Sequence, residues 1–348
     1  ERERLRSYFE SSVLPTLTPL TFDPAHPFPF ISNLSLSIAV LTRDTEGEER
    51  FSRIKVPANR PRLVSVSDPG ASVADADGAP GVMGYDGPPL SDFCEVTEEG
   101  IEWVPAMREA KSDAEIDLIR ESARWANLGH RYLADHTEAG AHPATVSQRA
   151  SMEASRAMLD TLGSEYAVRT RGDGPVHAGY ISGEETALPH GHTPNERLSR
   201  GDVLVTGATA NVDGYYSELE RTMFVGEASD EQRHYFEMML DAQETAFEAM
   251  GPGVPVADVD RAVWDYFEEQ GVTDLARHHV GHNIGLGAHE PPYIDRGSDA
   301  VMEPGHVYTI EPGLYTDDAG YRHSDTVAVT EDGIDFLTYF PRDLESNV

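Results

Sequence analysis

Lysine is nearly missing from this chain of 348 residues: only Lys55 and Lys111 occur. Lys and Arg together number 27 against 61 acids, a formal charge of −34, with the acids spread along the whole length. No basic stripe exists to neutralise phosphates, so a nucleic-acid partner is not expected. Dispersed acid with so little lysine is the pattern of a halophilic protein, kept soluble at very high salt. Cysteine is reduced to Cys94, which excludes an internal disulfide and suits a reducing cytoplasm. No apolar run reaches membrane-spanning length and no leader pattern opens the sequence, so a cytoplasmic protein with no membrane partner is expected.

What is present is organised around residues 201–226, GDVLVTGATANVDGYYSELERTMFVG. A short apolar run, a polar turn containing Gly, and a stretch mixing aromatic and β-branched residues with charges read as a β-hairpin. Glu218 and Glu220 lie two apart and share a face of the second strand. Residues 305–330, GHVYTIEPGLYTDDAGYRHSDTVAVT, repeat the pattern. Gly201 corresponds to Gly305, and Gly214-Tyr215 to Gly320-Tyr321. In that alignment Gly207 stands opposite Glu311, and Glu218 opposite Ser324. Two helical stretches precede each hairpin, so an internal duplication explains the likeness better than chance, and duplicated halves often meet at a shared site.

The first 106 residues form a separate N-terminal region. A helix is expected over 3–12, strands over 34–41, 51–56 and 62–66, and a loop over 67–91. No motif appears there; His26 and Arg43 read as solvated surface. From 107 to 348 the order is helix, helix, strands, twice over. Ser112 and Glu115 form a capping box, followed by Ile116, Ile119, Ala123, Ala126, His130 and Leu133 on one helical face. Further helices are expected at 145–162, closed by Gly163; from the Ser229/Gln232 capping box to Gly251; and at 258–270, closed by Gly271.

The titratable residues concentrate in two places. ALPHG puts His190 in a loop before the first hairpin, and RHHVGHNIGLGAHEPP (277–292) holds His278, His279, His282 and His289 among three glycines. Glycine permits close backbone approach, and imidazoles supply ligands or proton carriers near neutral pH. His282 and His289 are the functional candidates; His278 and His279 read as structural.

GHNIGLGAHEPP and TIEPGLY resemble the His and Glu signatures of the pita-bread-fold hydrolases, which include methionine and Xaa-Pro aminopeptidases, prolidase and creatinase. The resemblance covers about residues 107–340. It implies an α+β pita-bread fold with internal duplication behind a smaller α/β N-terminal domain. It also implies a homodimer and a small-molecule or dipeptide substrate. The two-metal ligand set of the peptidases falls on Gly207, Glu218, His282, Glu311 and Ser324. Gly207 offers no ligand and Ser324 a poor one, so no two-metal centre is expected. One divalent ion on Glu218, His282 and Glu311 is the residual possibility. GYYSELERTMF is more similar to metal-free creatinase, whose catalytic and substrate-binding residues match His190, Glu220, Glu311 and His282. On that resemblance the chain is expected to be a creatinase-like hydrolase of a C–N bond in a small amide, amidine or guanidinium compound. His190 would be the proton carrier, and Glu220 and Glu311 would clamp a cationic nitrogen, with His289 and Arg221 beside the substrate. The alternatives are an Xaa-Pro peptidase with a reduced metal site and an inactive binding protein on the same scaffold.

Overall fold

A computed structural model describes residue 9, three short N-terminal strands, and residues 103–168 and 174–348. The chain divides into two units, residues 1–96 and 97–348. In the first, β1 (Pro19–Thr21), β2 (Ser37–Arg43) and β3 (Glu49–Lys55) form an antiparallel sheet in the order β1-β3-β2. β2 and β3 overlap two of the expected strands. The strand at 62–66, the loop at 67–91, His26, and the helix at 3–12 apart from residue 9 lie outside the described residues.

In the second unit, α1 (Trp103–Glu109) leads into α2 (Asp113–His136). The Glu115 carboxylate accepts from both the backbone N–H and the hydroxyl of Ser112, which satisfies a first-turn donor and fixes where α2 begins. α2 buries Ile119, Ala123, Ala126, His130 and Leu133, the stripe that its periodicity predicts. α3 (Pro143–Leu162) ends at Gly163, where φ is +68°. Its Ser151 and Ser155 hydroxyls each bond both the N–H and the carbonyl of an edge-strand residue, Ala178 and Val176. Side chains thereby stand in for a missing neighbour strand.

β4 (Val176–Ser182), β5 (Val203–Val212) and β6 (Tyr215–Phe224) follow as antiparallel neighbours. Asp213 and Gly214 turn β5 into β6 with φ of +50° and +103°, the two positive values that a tight two-residue hairpin requires. α4 (Asp230–Ala249), capped by Ser229, and α5 (Val256–Gln270), closed by left-handed Gly271, make the second helix pair. β7 (Gly281–Asn283), β8 (Glu290–Ile294), β9 (Val307–Ile310), β10 (Gly313–Tyr315), β11 (Gly320–Arg322), β12 (Ser324–Thr330) and β13 (Gly333–Phe336) complete the unit.

Among the described residues the large sheet runs β4-β5-β6-β12-β9-β7-β8, with β13 on β12, and β10 and β11 pair separately. Two main apolar cores lie against it. One joins α2 and α3 to β4–β6 through residues such as Leu133, Met158, Leu204 and Met223. The other joins α4 and α5 to the second half through Phe236, Met239, Val263, Tyr308 and Ile310. The expected duplicated α+β architecture is thus the observed one, each half being a helix pair on its own strands. The halves meet where β12 pairs β6, at Ser324 opposite Glu220 and Asp325 opposite Leu219.

Candidate active site

That seam is where the acids gather. Alternation along β6 puts Glu218 and Glu220 on one face, and the β5 register sets Gly207 opposite Glu220. Pairing of β12 with β9 and of β9 with β7 brings in the end of β9 and His282. Glu311 follows β9 directly; its N–H leaves the ladder and bonds the Val280 carbonyl at 2.7 Å. The side chains converge: ligand-type oxygens of Glu218, Glu220 and Glu311 lie within 4.8 Å of one another, as do atoms of Glu218, His282 and His289.

His282 is completely buried. Its Nδ1 donates to the Asn283 carbonyl at 3.0 Å, so Nε2 carries the lone pair. That Nε2 has no hydrogen-bond partner among the described residues, although Glu311 Oε1 is 3.4 Å away and Glu218 Oε2 3.9 Å. Burial pushes the imidazole down to about 3, so it is neutral. The carboxylates move the other way. Burial, then the charge of Glu220, raises Glu218 to about 8, although the Ser324 hydroxyl donates to it at 2.9 Å. Burial and the neighbouring Glu218 hold Glu311 well above the usual carboxylate range. Acids crowded around an unpaired imidazole lone pair are a donor set of the kind that binds a cation.

Glu220 is handled differently. Arg322 grips it with two donors, Nε at 2.5 Å and Nη2 at 2.9 Å. Its Nη1 N–H groups bond the Pro189 carbonyl at 2.9 Å and the Tyr315 hydroxyl at 3.0 Å. Tyr315 in turn donates to His278 Nε2 at 2.8 Å, while His278 Nδ1 donates to the His279 carbonyl. Burial holds His278 at about 4, consistent with its neutral, supporting place in this chain of bonds.

His190 is exposed on the turn that Arg322 holds through Pro189. Burial, and then the neighbouring His190, lower His289 from its ordinary value. His289 is exposed, with its ring 4.2 Å from that of His282. A cavity of about 480 Å³ adjoins the acids, lined in part by Gly207, Thr209, Glu218, Glu220, Arg322 and His177. It has the size of a small-ligand site.

Arg221 corrects the sequence reading. It is completely buried, and all five of its donors are committed: to Asp325, and to the backbone carbonyls of Glu220, Ser324, Phe340 and Pro341. It holds the strand seam and has no donor left for a substrate. The cation that serves the site is Arg322, which the sequence reading passed over. A signal was there: Arg322 lies two before Ser324, so strand alternation carries it to the face of the acids.

Two donor groups that share Glu218 could hold a metal ion, Glu218 with His282 and His289, and Glu218 with Glu220 and Glu311. His282 Nε2 is free to ligate, and Glu218 and Glu311 are the acids near it. The site does not fit the five-ligand pair of ions, because position 207 has no side chain and the Ser324 hydroxyl is engaged with Glu218. A Cβ built on Gly207 would meet only Glu220 Oε1, at 3.7 Å, so space exists there for a ligand that the sequence does not supply.

Comparison with known proteins identifies the family. The model of metallopeptidase family M24 matches residues 117–331, and that of the polyphosphate kinase middle domain matches residues 1–77. The chain is 39% identical over 164 residues to an Xaa-Pro dipeptidase of Pyrococcus furiosus, covering 47% of each. It is 31% identical to a putative dipeptidase of Bacillus subtilis, over 67% of this chain and 61% of that one. Among solved structures, prolidase from Pyrococcus furiosus superposes with a TM-score of 0.61 at 30% identity, covering 68% of this chain and 67% of that one. An X-Pro aminopeptidase from Thermotoga maritima gives 0.62 at 28%, with coverages of 69% and 65%. The chain spans about half to two thirds of the length of these curated relatives.

Proposed function

The chain belongs to metallopeptidase family M24, and from that premise we propose that it hydrolyses the C–N bond of Xaa-Pro dipeptides with one divalent ion held by Glu218, His282 and Glu311. The observation that carries this reading is the buried, unpartnered Nε2 lone pair of His282 facing two carboxylates. Charge supports the number of ions. Once Glu218 and Glu311 give up their protons to an ion, three clustered glutamates against one guanidinium leave two negative charges, which one divalent ion cancels and two would overshoot. When bound, such an ion supplies Lewis acidity to a scissile carbonyl and acidifies water. The side chains do the rest. Ser324 orients Glu218, and Arg322 holds Glu220 in place beside the cavity. To the exposed His190 and His289 we assign delivery of the proton to the departing proline nitrogen.

The peptidase reading therefore replaces the creatinase-like one. The named relatives are dipeptidases, a prolidase and an X-Pro aminopeptidase. The geometry also disfavours a cationic substrate on Glu220, because both its oxygens already face Arg322. The proposal includes a cytoplasmic homodimer and work at high salt; the charge of −34 supports the salt dependence. Screening of that self-repulsion should raise the melting midpoint from low to molar KCl.

The test is an assay of proline release from Xaa-Pro dipeptides in Mn²⁺, Co²⁺ or Zn²⁺, beside creatine and other guanidino compounds in chelator. Ion-dependent dipeptide cleavage that His282→Ala reduces by roughly 100-fold or more is expected, on the scale of losing a group that stabilises developing charge. Guanidino turnover in chelator without dipeptide cleavage would overturn the proposal.

A further inference from the structure

One of the two lysines in the sequence lies in this unit, and it is buried. Lys111, 6% exposed, directs its ammonium at three acceptors: Asn283 Oδ1, Glu290 Oε2 at 3.3 Å and the Glu109 carbonyl at 3.2 Å. Three donors meet three acceptors, a task suited to a compact ammonium and not to a planar guanidinium.

The two side chains it joins are strand partners. β7 pairs β8 with His282 opposite Tyr293 and Asn283 opposite Glu290. One step along β7 thus spans three along β8, a bulge that takes up Pro291 and Pro292. At the edge of this bulge His289 precedes Glu290, and its ring comes 4.2 Å from that of His282. Lys111 ties together the pair at the mouth of the bulge. The same residues fix the surroundings of the histidines: the Asn283 carbonyl accepts from His282 Nδ1, and Glu290, which His289 directly precedes, accepts through Oε1 from Arg108 and from the Gly287 N–H at 2.6 Å. The glycines of the motif fit around this clamp. A Cβ on Gly285 would come within 2.8 Å of Lys111 Cε and 3.0 Å of Glu290 Oε2.

We propose that Lys111 is a positioning residue that closes the β7/β8 bulge and thereby sets His289 against His282. Its importance for turnover rests on the functional reading above; its effect on geometry does not. Lys111→Met leaves Glu290 short of a partner and risks unfolding, so the test uses Lys111→Met/Glu290→Gln, which removes both charges, and Lys111→Arg, which keeps the charge but not its three-way reach. Histidine-labelled full-length protein is examined by NMR for the cross-peak between the His282 and His289 rings. The folded variants are expected to lose or weaken that cross-peak and to shift the His289 resonances. If Xaa-Pro cleavage is present in the wild type, kcat should fall roughly 10–100-fold with KM little changed, the scale of an ångström-level misplacement. A folded variant with wild-type cross-peak intensity overturns the proposal, whether or not any substrate has been found.

Discussion

The two hairpins descend from one pattern but are built differently. The first is an unbroken ladder of ten residue pairs from Val203–Phe224 to Val212–Tyr215, closed by a two-residue turn. The second breaks after four strand residues: β9 ends at Ile310, Glu311 turns its N–H to Val280, and Pro312 has no N–H to give. β10 and β11 then pair only with each other before β12 rejoins the sheet. The broken hairpin gains what the regular one cannot offer. Its break presents Glu311, and its inner ribbon presents Arg322 and Tyr315. The regular hairpin contributes by alternation alone, and so offers Glu218 and Glu220 with bare Gly207 behind them. Catalytic geometry here comes from interrupted pairing, while the intact ladder is the platform.

Each hairpin also carries a buried arginine, and these sharpen the contrast most strongly. Arg322→Met should cost up to about 3–5 kcal/mol in urea unfolding, because it leaves the partly buried Glu220 unpaired among other acids. Arg221→Met should cost a similar amount through Asp325. Divalent-ion affinity should change in the Arg322 variant and stay at the wild-type value in the Arg221 variant. Equal effects on ion binding would erase the distinction between site arginine and seam arginine.

The next effect is on pH. Glu218 ordinarily titrates near 4.5 but is raised to about 8 in the fold. Between those values the folded state keeps a proton that the unfolded state has lost, so this contribution to stability falls as pH rises. His282, lowered from 6.5 to about 3, acts oppositely, adding stability as pH rises between those values. Glu218 and His282 offset each other from about 4.5 to 6.5, and above that the raised acids remain, Glu218 with Glu311 beside it. Ion-free protein should therefore lose stability from pH 6.5 to 8, and Glu218→Gln should flatten that slope. A melting midpoint that rises over this window in chelator would contradict the placement of the acids. The smallest change is Gly207→Asp. The cradle accepts a side chain, so the fold should persist, with a loss of about 1 kcal/mol in ion-free protein from added like charge. Divalent ion should recover that loss.

Much of this was legible in advance, for a physical reason. Capping boxes, closing glycines and helical stripes are local, so α2 to α5 fell within a few residues of their expected bounds. Glu218, Glu311 and His282 could be read because their motifs carry register. Arg221 misled because it adjoins Glu220 in sequence, whereas strand alternation sends neighbours to opposite faces. Arg322 and Lys111 went unassigned because their partners, Glu220 and Glu290, lie more than a hundred residues away, and only the sheet order brings them together.

The central claim is a single cation on Glu218, His282 and Glu311. Its most direct test is the number of ions each chain holds, measured by titrating chelator-treated protein with Mn²⁺ and following free Mn²⁺ by EPR, beside His282→Ala. The account predicts one tightly held ion per chain in the wild type and its loss in the variant. Two tightly held ions, none, or binding untouched by His282→Ala would contradict it.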